Sequence, residues 1–212
     1  KRSQYKALDF KKIKQEKAKT NLFYKKTDQA NLVLGVSAYG RNDPKKYAAA
    51  VLATILGEGM SSRLFLQVRE KRGLAYHVSA SFGAYAEVGA FTVFAGLKLE
   101  KIEDGLQVII AELQSIAKEK VPEDELKKAK EMIRGRLALR QESTNFLAEY
   151  FGTKFVLDRK IETFEEYLRN IDLVTVEDVQ DVANDLFKKE NYNLQIIGPF
   201  KDPEQFLKIL QT

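Results

Sequence analysis

Side chains that commonly perform chemistry are scarce in this sequence. Its 212 residues include one histidine, His77, and no cysteine. The usual zinc sites need three or four His or Cys ligands, or two His with a carboxylate, so this composition excludes them. Disulfide bonds are impossible. Neither glycine-rich run, at 35–40 or 57–62, completes a nucleotide-binding motif. The sequence therefore predicts no metal and no cofactor held by this chain.

Nucleophilic catalysis has few candidate residues. Any Ser-His-Asp arrangement would depend on His77 as its base. His77 follows Tyr76 in a predicted strand, and alternation along a strand places the two side chains on opposite faces. A lone strand histidine is more often structural or solvent-exposed than catalytic. Ser61 and Ser62 lack the second glycine of a nucleophile elbow, so we expect them to cap the helix that follows.

Two other polar side chains stand out in the segment 56–76. This segment predicts a glycine-loosened turn, a helix whose end lies near Arg69, a stop at Gly73 and a strand that begins near Tyr76. Arg69 and Tyr76 are then expected to converge on one edge of a sheet. A guanidinium and a phenol are both hydrogen-bond donors. The structural alternative is that Arg69 complements the helix C-terminus and Tyr76 packs under the helices.

The basic charge of the chain is concentrated at its beginning. Residues 1–26 contain ten Lys or Arg and two acidic residues, whereas the remainder contains 25 basic and 28 acidic residues. We therefore predict a basic lead-in or interdomain linker over residues 1–19 and one domain over residues 20–212. The absence of an initiator Met suggests a processed product or a fragment. A nucleic-acid-binding module is a less favoured alternative, because no aromatic ladder or RNP-like motif accompanies the basic block.

Hydrophobic runs in the sequence are short. None approaches the roughly 20 residues needed to cross a bilayer, and the first residues lack the apolar region of a signal peptide. We expect a soluble protein without a membrane span. The compartment stays open, with a preference for the cytoplasm.

The periodicity of apolar residues predicts an α+β fold with an antiparallel or mixed sheet and clustered helices. A turn at 27–29 indicates that the first two strands form a hairpin or an edge pair. Predicted strands cover 22–26, 32–39, 75–84, 89–97 and 191–197. Predicted helices run from Pro44 to Gly57, from Ser61 or Ser62 to Lys71, over 101–117, from Pro122, from Ser143, from Thr175 and over 204–210.

The segment 56–76 also carries a family resemblance. Its blocks Gly-Glu-Gly-Met-Ser-Ser-Arg-Leu-Phe and Leu-Ala-Tyr resemble the C-terminal half of the pitrilysin, insulinase and mitochondrial processing peptidase family of zinc peptidases. The similarity continues through Glu125-Leu126, Gly135, Glu142-Ser143 and the run 174–179. It covers roughly residues 20–200.

The resemblance implies one half of a two-half clamshell that closes around an unfolded peptide. Zinc, bound by an inverted H-x-x-E-H motif, is implied in the missing N-terminal half. Arg69 and Tyr76 match the family's accessory residues that bind substrate and stabilise the oxyanion. No residue of this chain alone is implied to be catalytic. The implied partners are its own N-terminal half or a paired family subunit, together with an unfolded peptide.

The implied function is that of the C-terminal substrate-chamber domain of a zinc endopeptidase that cleaves unfolded peptides or presequences. The isolated chain is then expected to be inactive, and an exposed sheet edge could bind substrate as an added strand. The alternative within the family is a domain of a non-catalytic partner or core-type subunit. The sequence leaves both open, because the deciding motif lies upstream.

Overall fold

The computed structural model describes residues 15–159 and 161–211. Most of the predicted lead-in, residues 1–14, lies outside these ranges. The strands are β1 (Lys19–Tyr24), β2 (Gln29–Tyr39), β3 (Ala75–Ala84), β4 (Val88–Lys98) and β5 (Asn193–Gly198). The α-helices are α1 (Lys46–Gly57), α2 (Ile102–Lys118), α3 (Glu123–Gln141), α4 (Thr144–Thr153), α5 (Phe164–Asp172), α6 (Val176–Leu186) and α7 (Glu204–Gln211).

The five strands form one mixed sheet in the order β1-β5-β2-β4-β3. β1 and β5 run parallel, whereas the other neighbouring pairs are antiparallel. The helices α2 to α6 follow one another between β4 and β5 rather than alternating with strands. The predicted α+β class and the mixed sheet are therefore confirmed.

The predicted pairing of the first two strands is wrong, because β5 lies between them. Lys19 of β1 is opposite Asn193 of β5, and Asn31 of β2 is opposite Ile197 of β5. Leu194 of β5 is almost completely buried, as expected for a strand inside the sheet. β1 is consequently an edge strand that pairs with β5, the last strand. The turn at 27–29 therefore connects two strands that are not neighbours in the sheet.

The helices cover one face of the sheet. Alternate residues of the central strands are buried in the core beneath them: Ala30, Leu32, Leu34, Val36 and Ala38 of β2, and Phe91, Val93, Ala95 and Leu97 of β4. The intervening residues form what we call the open face. Val33, Phe94 and Ile197 on this face are each 38% exposed, so within the described ranges one side of the sheet faces solvent.

Two helices begin with a capping box, in which a threonine and an acidic side chain exchange hydrogen bonds with each other's backbone N–H. Thr175 and Asp178 form one at α6, as the sequence predicts. Thr163 and Glu166 form the other at α5, a helix that the sequence analysis missed although its Thr-x-x-Glu signal is present. α1 begins at Lys46 rather than at Pro44.

The helix predicted from Ser143 is found as α4, but its apolar residues are not buried. Ser143 caps it, accepting a hydrogen bond from the Phe146 N–H. No residue of α4 is buried, and Phe155, just beyond it, is 67% exposed. Its aromatic residues belong to a partly exposed cluster in which Tyr150 lies 4.5 Å from Phe164, ring centre to ring centre.

Candidate functional site

Arg69 lies on a π-helical segment, Phe65–Glu70, instead of the predicted α-helix. The wider turn shows in the backbone, where the Lys71 N–H donates to the Leu66 carbonyl at 2.9 Å. Buried Val68 anchors the segment to the core. Gly73 follows at a φ of 58°, the left-handed conformation predicted for it. π-helical turns are rare and occur frequently at functional sites.

The start of this segment also differs from expectation. Ser62 does not cap a helix; its hydroxyl donates to the Gly59 carbonyl at 2.8 Å and the side chain is buried. Arg63 leaves the same turn and binds Glu125 through two hydrogen bonds of 2.8 and 2.7 Å. The Glu125 carboxylate raises the pKa of Arg63. This pair joins the turn before the π-helical segment to the first turn of α3.

The Arg69 side chain is exposed, and its guanidinium lies over the ring of Phe65 at 5.0 Å from the ring centre. This distance is within the range of a cation–π contact. The guanidinium forms no hydrogen bond or ion pair with any residue in the described ranges. Its five donors are therefore available to another molecule.

Tyr76 lies at a β-bulge near the start of β3. Ala75 is opposite Leu97 and His77 is opposite Gly96, so the register shifts by one residue and Tyr76 has no partner on β4. A bulge re-aims side chains, and bulges are over-represented beside active sites. The Tyr76 side chain is 58% exposed, and its hydroxyl bonds to no described group.

The bulge overturns the prediction that Tyr76 and His77 face opposite sides of the sheet. Ala75 is buried, Tyr76 and His77 are both exposed, and Val78 is buried again. The His77 ring is 5.7 Å from the ring of Phe94 on the open face. Within 15–159 and 161–211 His77 has no hydrogen bond to a serine or carboxylate, so the structure provides no nucleophile–base pair around it.

The structure places Arg69 and Tyr76 at the same end of β3, which is an edge strand. The π-helical segment contacts β3 directly, and only residues 71–74 separate the two elements. Two exposed donors thus lie at or next to the start of β3, which we call the border of the open face. Donors placed in this way suit recognition of a carbonyl oxygen better than proton abstraction.

The open face extends from this border across all five strands. Cross-strand neighbours on it include Val33 with Phe94, Phe23 with Ile197, and Ser81 with Thr92, whose hydroxyls are 2.9 Å apart. We call the apolar members, Phe23, Val33, Phe94 and Ile197, the open-face band. The open face was not among the expectations from the sequence, although the alternation of polar and apolar residues in β2 and β4 indicates such a surface.

α1 packs tightly against β3 near the middle of the strand. Ala80 is only 3% exposed. Gly57, at the end of α1, packs so closely that a Cβ on it would lie 1.9 Å from the Ala80 nitrogen. On the opposite edge strand, β1, the side chains of Phe23 and Tyr24 are 61% and 56% exposed.

A cleft of about 570 Å³ lies between α1, α3 and α4, and neither Arg69 nor Tyr76 lines it. Among its charged groups, Arg41 Nε lies 3.0 Å from Asp158, and Arg136 pairs with Glu58. Arg69 and Tyr76 lie at the border of the open face, so we take them, rather than this cleft, as the candidate site.

Beside that cleft, Glu162 links three elements. Its carboxylate accepts hydrogen bonds from Tyr47 of α1 and from Lys154, the latter at 2.8 Å, and lies near Asn170 of α5. Burial alone would raise the pKa of Glu162, but the bonds from Lys154 and Tyr47 outweigh it and hold the pKa below its ordinary value. Burial and the bond to Glu162 raise the pKa of Tyr47.

Within the part of the chain that the structure describes, no three His, Cys, Asp or Glu side chains are grouped so as to hold a metal ion. The donor set of these residues therefore does not fit zinc. Over the same residues, no helix is both long enough and apolar enough to cross a membrane.

Comparison with known proteins adds a family to this geometry. A family model described as the peptidase M16 inactive domain matches residues 2–133. An uncharacterized zinc protease of Streptomyces coelicolor is 36% identical over 186 residues, which are 88% of this chain and 40% of that protein. The uncharacterized zinc protease YmxG of Bacillus subtilis is 34% identical over 175 residues, 82% and 42% of the two chains. The chain thus spans about two fifths of the length of these relatives.

A solved structure shares the fold. The crystal structure of a peptidase M16 inactive domain from Pseudomonas fluorescens has a TM-score of 0.81 to this chain at 24% identity. The likeness covers 92% of this chain and 47% of that one. It extends the match beyond residue 133, where the family model ends, to nearly the whole chain.

Proposed function

Because the chain belongs to the M16 family of zinc peptidases, in which it corresponds to the C-terminal, inactive half, we propose that it forms the metal-free wall of a chamber for unfolded peptides. The zinc-bearing wall is then a separate half, joined to this one or paired with it. The observation that carries the proposal is the placement of Arg69 and Tyr76 at the border of the open face, where neither forms a hydrogen bond or ion pair with a residue of 15–159 or 161–211.

The open face supports binding of an extended chain. It combines the open-face band with hydroxyl and amide side chains such as Ser81, Thr92 and Gln195. Mixed surfaces of this kind contact apolar side chains and backbone polar groups together. They carry little charge and so place few constraints on the peptide sequence. An unfolded peptide is the ligand that exposes both kinds of group along its whole length.

Arg69 and Tyr76 would act on the peptide bond through hydrogen bonds. In our proposal their N–H and O–H groups donate to the carbonyl oxygen of the bound peptide. They stabilise the negative charge that develops on this oxygen during attack, as donors of an oxyanion hole do. The described residues of this chain offer no group of zinc ligands, so in our proposal the metal and the attacking oxygen belong to the other half. Both residues are accessory groups for a reaction completed elsewhere.

The test is an activity assay with and without a zinc-bearing half. The purified 212-residue chain is incubated with an unfolded, fluorogenically labelled peptide, and we expect no hydrolysis. The polypeptide that carries this chain together with an H-x-x-E-H half is expected to cleave the peptide and to lose activity in chelator. Cleavage by the isolated chain that survives chelator and repeated purification would contradict the proposal.

The same assay addresses the non-catalytic alternative. If the upstream half carries a degraded motif and the whole protein cleaves nothing, the chain is part of a partner or core-type subunit. In that case peptide binding to the open face is still measurable by titration of a labelled unfolded peptide. Loss of both cleavage and peptide binding would remove the chamber role altogether.

A further inference from the structure

The ring of Phe65 is the one contact that the structure gives for the Arg69 guanidinium within residues 15–159 and 161–211. Arg69 is exposed, and a long exposed side chain samples many rotamers unless something holds it. Phe65 is itself only partly buried, so the face of its ring is accessible to the guanidinium. An aromatic face attracts a guanidinium, with Trp and Tyr able to replace Phe.

The π-helical segment fixes the backbone positions of the two residues that form this contact. Phe65 and Arg69 are the first and fifth residues of the segment Phe65–Glu70. The segment is fixed on its inner side by Val68, which is fully buried, and at its end by the Leu74 N–H, which donates to the Val68 carbonyl at 2.9 Å. The backbone of both residues is therefore held, and the ring restricts the remaining freedom of the Arg69 side chain.

We propose that Phe65 is a positioning residue, whose ring holds the Arg69 guanidinium in the orientation used to bind the peptide carbonyl. This inference rests on the proposed function of Arg69 and adds a residue that acts through it. Pre-orientation lowers the cost of ordering a long side chain when substrate arrives. Removing the ring should then weaken the contribution of Arg69 without removing its charge.

The first measurement concerns the contact and uses the 212-residue chain by NMR. A guanidinium stacked on a ring carries upfield-shifted side-chain protons, so the Arg69 δ-protons should move downfield in Phe65→Leu and stay upfield in Phe65→Trp. Phe200→Leu is the matched control, because it removes a partly buried ring whose contact is edge-to-face with Phe206 and not with Arg69. Arg69 shifts that are identical in wild type and Phe65→Leu overturn the inference.

The second measurement is a double-mutant cycle in the full peptidase that carries this chain. Phe65→Leu should lower kcat/KM about two- to fivefold, the range for an exposed cation–π contact, and Phe65→Trp should restore it. In an Arg69→Ala background Phe65→Leu should have no further effect, because its role depends on Arg69. An equal loss in both backgrounds means that the ring acts by packing, which overturns the inference.

The two proposals fail in different ways. If Arg69→Ala leaves kcat/KM unchanged, the proposed role of Arg69 is wrong and the positioning role falls with it. If Arg69→Ala lowers kcat/KM and Phe65→Leu does not, only the positioning role is wrong. Thermal unfolding of each variant of the 212-residue chain identifies any loss caused by misfolding, and Phe65→Trp keeps the test valid if Phe65→Leu is unstable.

Discussion

Tyr76 is exposed because of the backbone, not because of its neighbours. One inserted residue in β3 turns its ring outward, and its hydroxyl is left without a partner among the described residues. Removal of this hydroxyl should leave the free energy of unfolding unchanged. Under the proposed function, the same removal takes away one hydrogen-bond donor to the carbonyl oxygen of the peptide. Stability and activity should therefore respond differently to its removal.

Tyr76→Phe in the full peptidase should lower kcat about 10- to 1000-fold, as expected for the loss of one oxyanion donor. The midpoint of thermal unfolding should stay the same. Tyr85→Phe is the matched control, because Tyr85 is 70% exposed at the hairpin between β3 and β4, and its kcat should equal that of the wild type. An unchanged kcat in Tyr76→Phe would give Tyr76 no more than a structural role.

Sequence reasoning reached the candidate residues but not their orientation. The sequence predicts that Arg69 and Tyr76 converge on one edge of a sheet; the structure has Tyr76 in the edge strand β3 and Arg69 on the π-helical segment that contacts β3. The prediction that the His77 and Tyr76 side chains lie on opposite faces of the sheet was wrong, because a bulge adds a residue without any signal in the side-chain pattern. Phe65 was missed for a similar reason, since a π-helical turn and an α-helical turn have the same composition.

At the scale of elements, α1 and β3 are in contact at a glycine. A Cβ on Gly57 would meet the backbone nitrogen of Ala80 at 1.9 Å and its Cβ at 2.6 Å. The backbone of a strand cannot move away from the added Cβ as a flexible side chain can. The helix end and the strand must separate, and buried residues on both must lose contacts.

Gly57→Ala is therefore expected to destabilise the 212-residue chain by at least about 2 kcal/mol. Gly135→Ala, in the exposed part of α3 with no atom within 4 Å of the added Cβ, is the matched control. It should be neutral or stabilising by about 0.5–1 kcal/mol, because alanine favours a helix interior. Urea unfolding at constant pH measures both. Equal stability of the two variants would contradict the close packing of α1 on β3.

A second element-scale prediction concerns Glu162, which joins α1, α5 and Lys154. Its pKa is lower in the folded state than its ordinary value of 4.5. The stabilising contribution is therefore complete above about pH 4.5 and is lost as the pH falls through the folded-state pKa. Glu162→Gln should cost about 1–2 kcal/mol at pH 7, since it leaves Lys154 partly buried without its charge partner.

The difference between wild type and Glu162→Gln should shrink as the pH is lowered from 5 to 3. Glu119→Gln, at an exposed position, is the control and should unfold like the wild type at every pH. Chemical unfolding followed across this pH series provides the measurement. A difference that stays constant with pH would mean that the ion pair is not the source of the stabilisation.

The elements of the fold were predictable where one strong local signal exists. Alternation predicts β2 and β4, acidic residues after Pro122 predict α3, and Thr175 with Asp178 predicts α6. Pairing of strands was less accessible, because the sequence of a parallel edge strand does not specify which neighbour it joins. The exposure of α4 could not be predicted from its sequence, because an apolar stripe indicates that a partner surface is needed but not which residues supply it.

For the molecule as a whole, the family resemblance drawn from residues 56–76 is confirmed by the match of the inactive-domain model over residues 2–133. The open face is the side of the sheet that the helices leave uncovered, and the proposed function assigns it to the peptide. Its apolar residues form two cross-strand pairs, Phe23 with Ile197 and Val33 with Phe94. Between the two pairs, Val33 is opposite Gln195 and Ile197 is opposite Asn31.

Phe94→Ser should weaken binding of an unfolded peptide to the 212-residue chain about fivefold, which corresponds to about 1 kcal/mol for a partly exposed ring. Fluorescence titration measures the Kd. Leu173→Ser, on the helix side and 69% exposed, should leave the Kd unchanged. The unfolding midpoints of both variants should stay near that of the wild type. Equal peptide affinity in all three proteins would argue that the peptide binds elsewhere.

The parallel pairing of β1 with β5 also determines when the sheet can be completed during synthesis. Asn21 and Gln195, which share a hydrogen bond of 3.0 Å, are 174 residues apart. Until β5 leaves the ribosome, β1 has no neighbour, and β2 remains an unpaired edge carrying apolar residues. Long-range closure of this kind slows folding and prolongs exposure to aggregation. We therefore expect nascent chains that end before Asn193 to depend on chaperones and those that include Gly198 to be released from them.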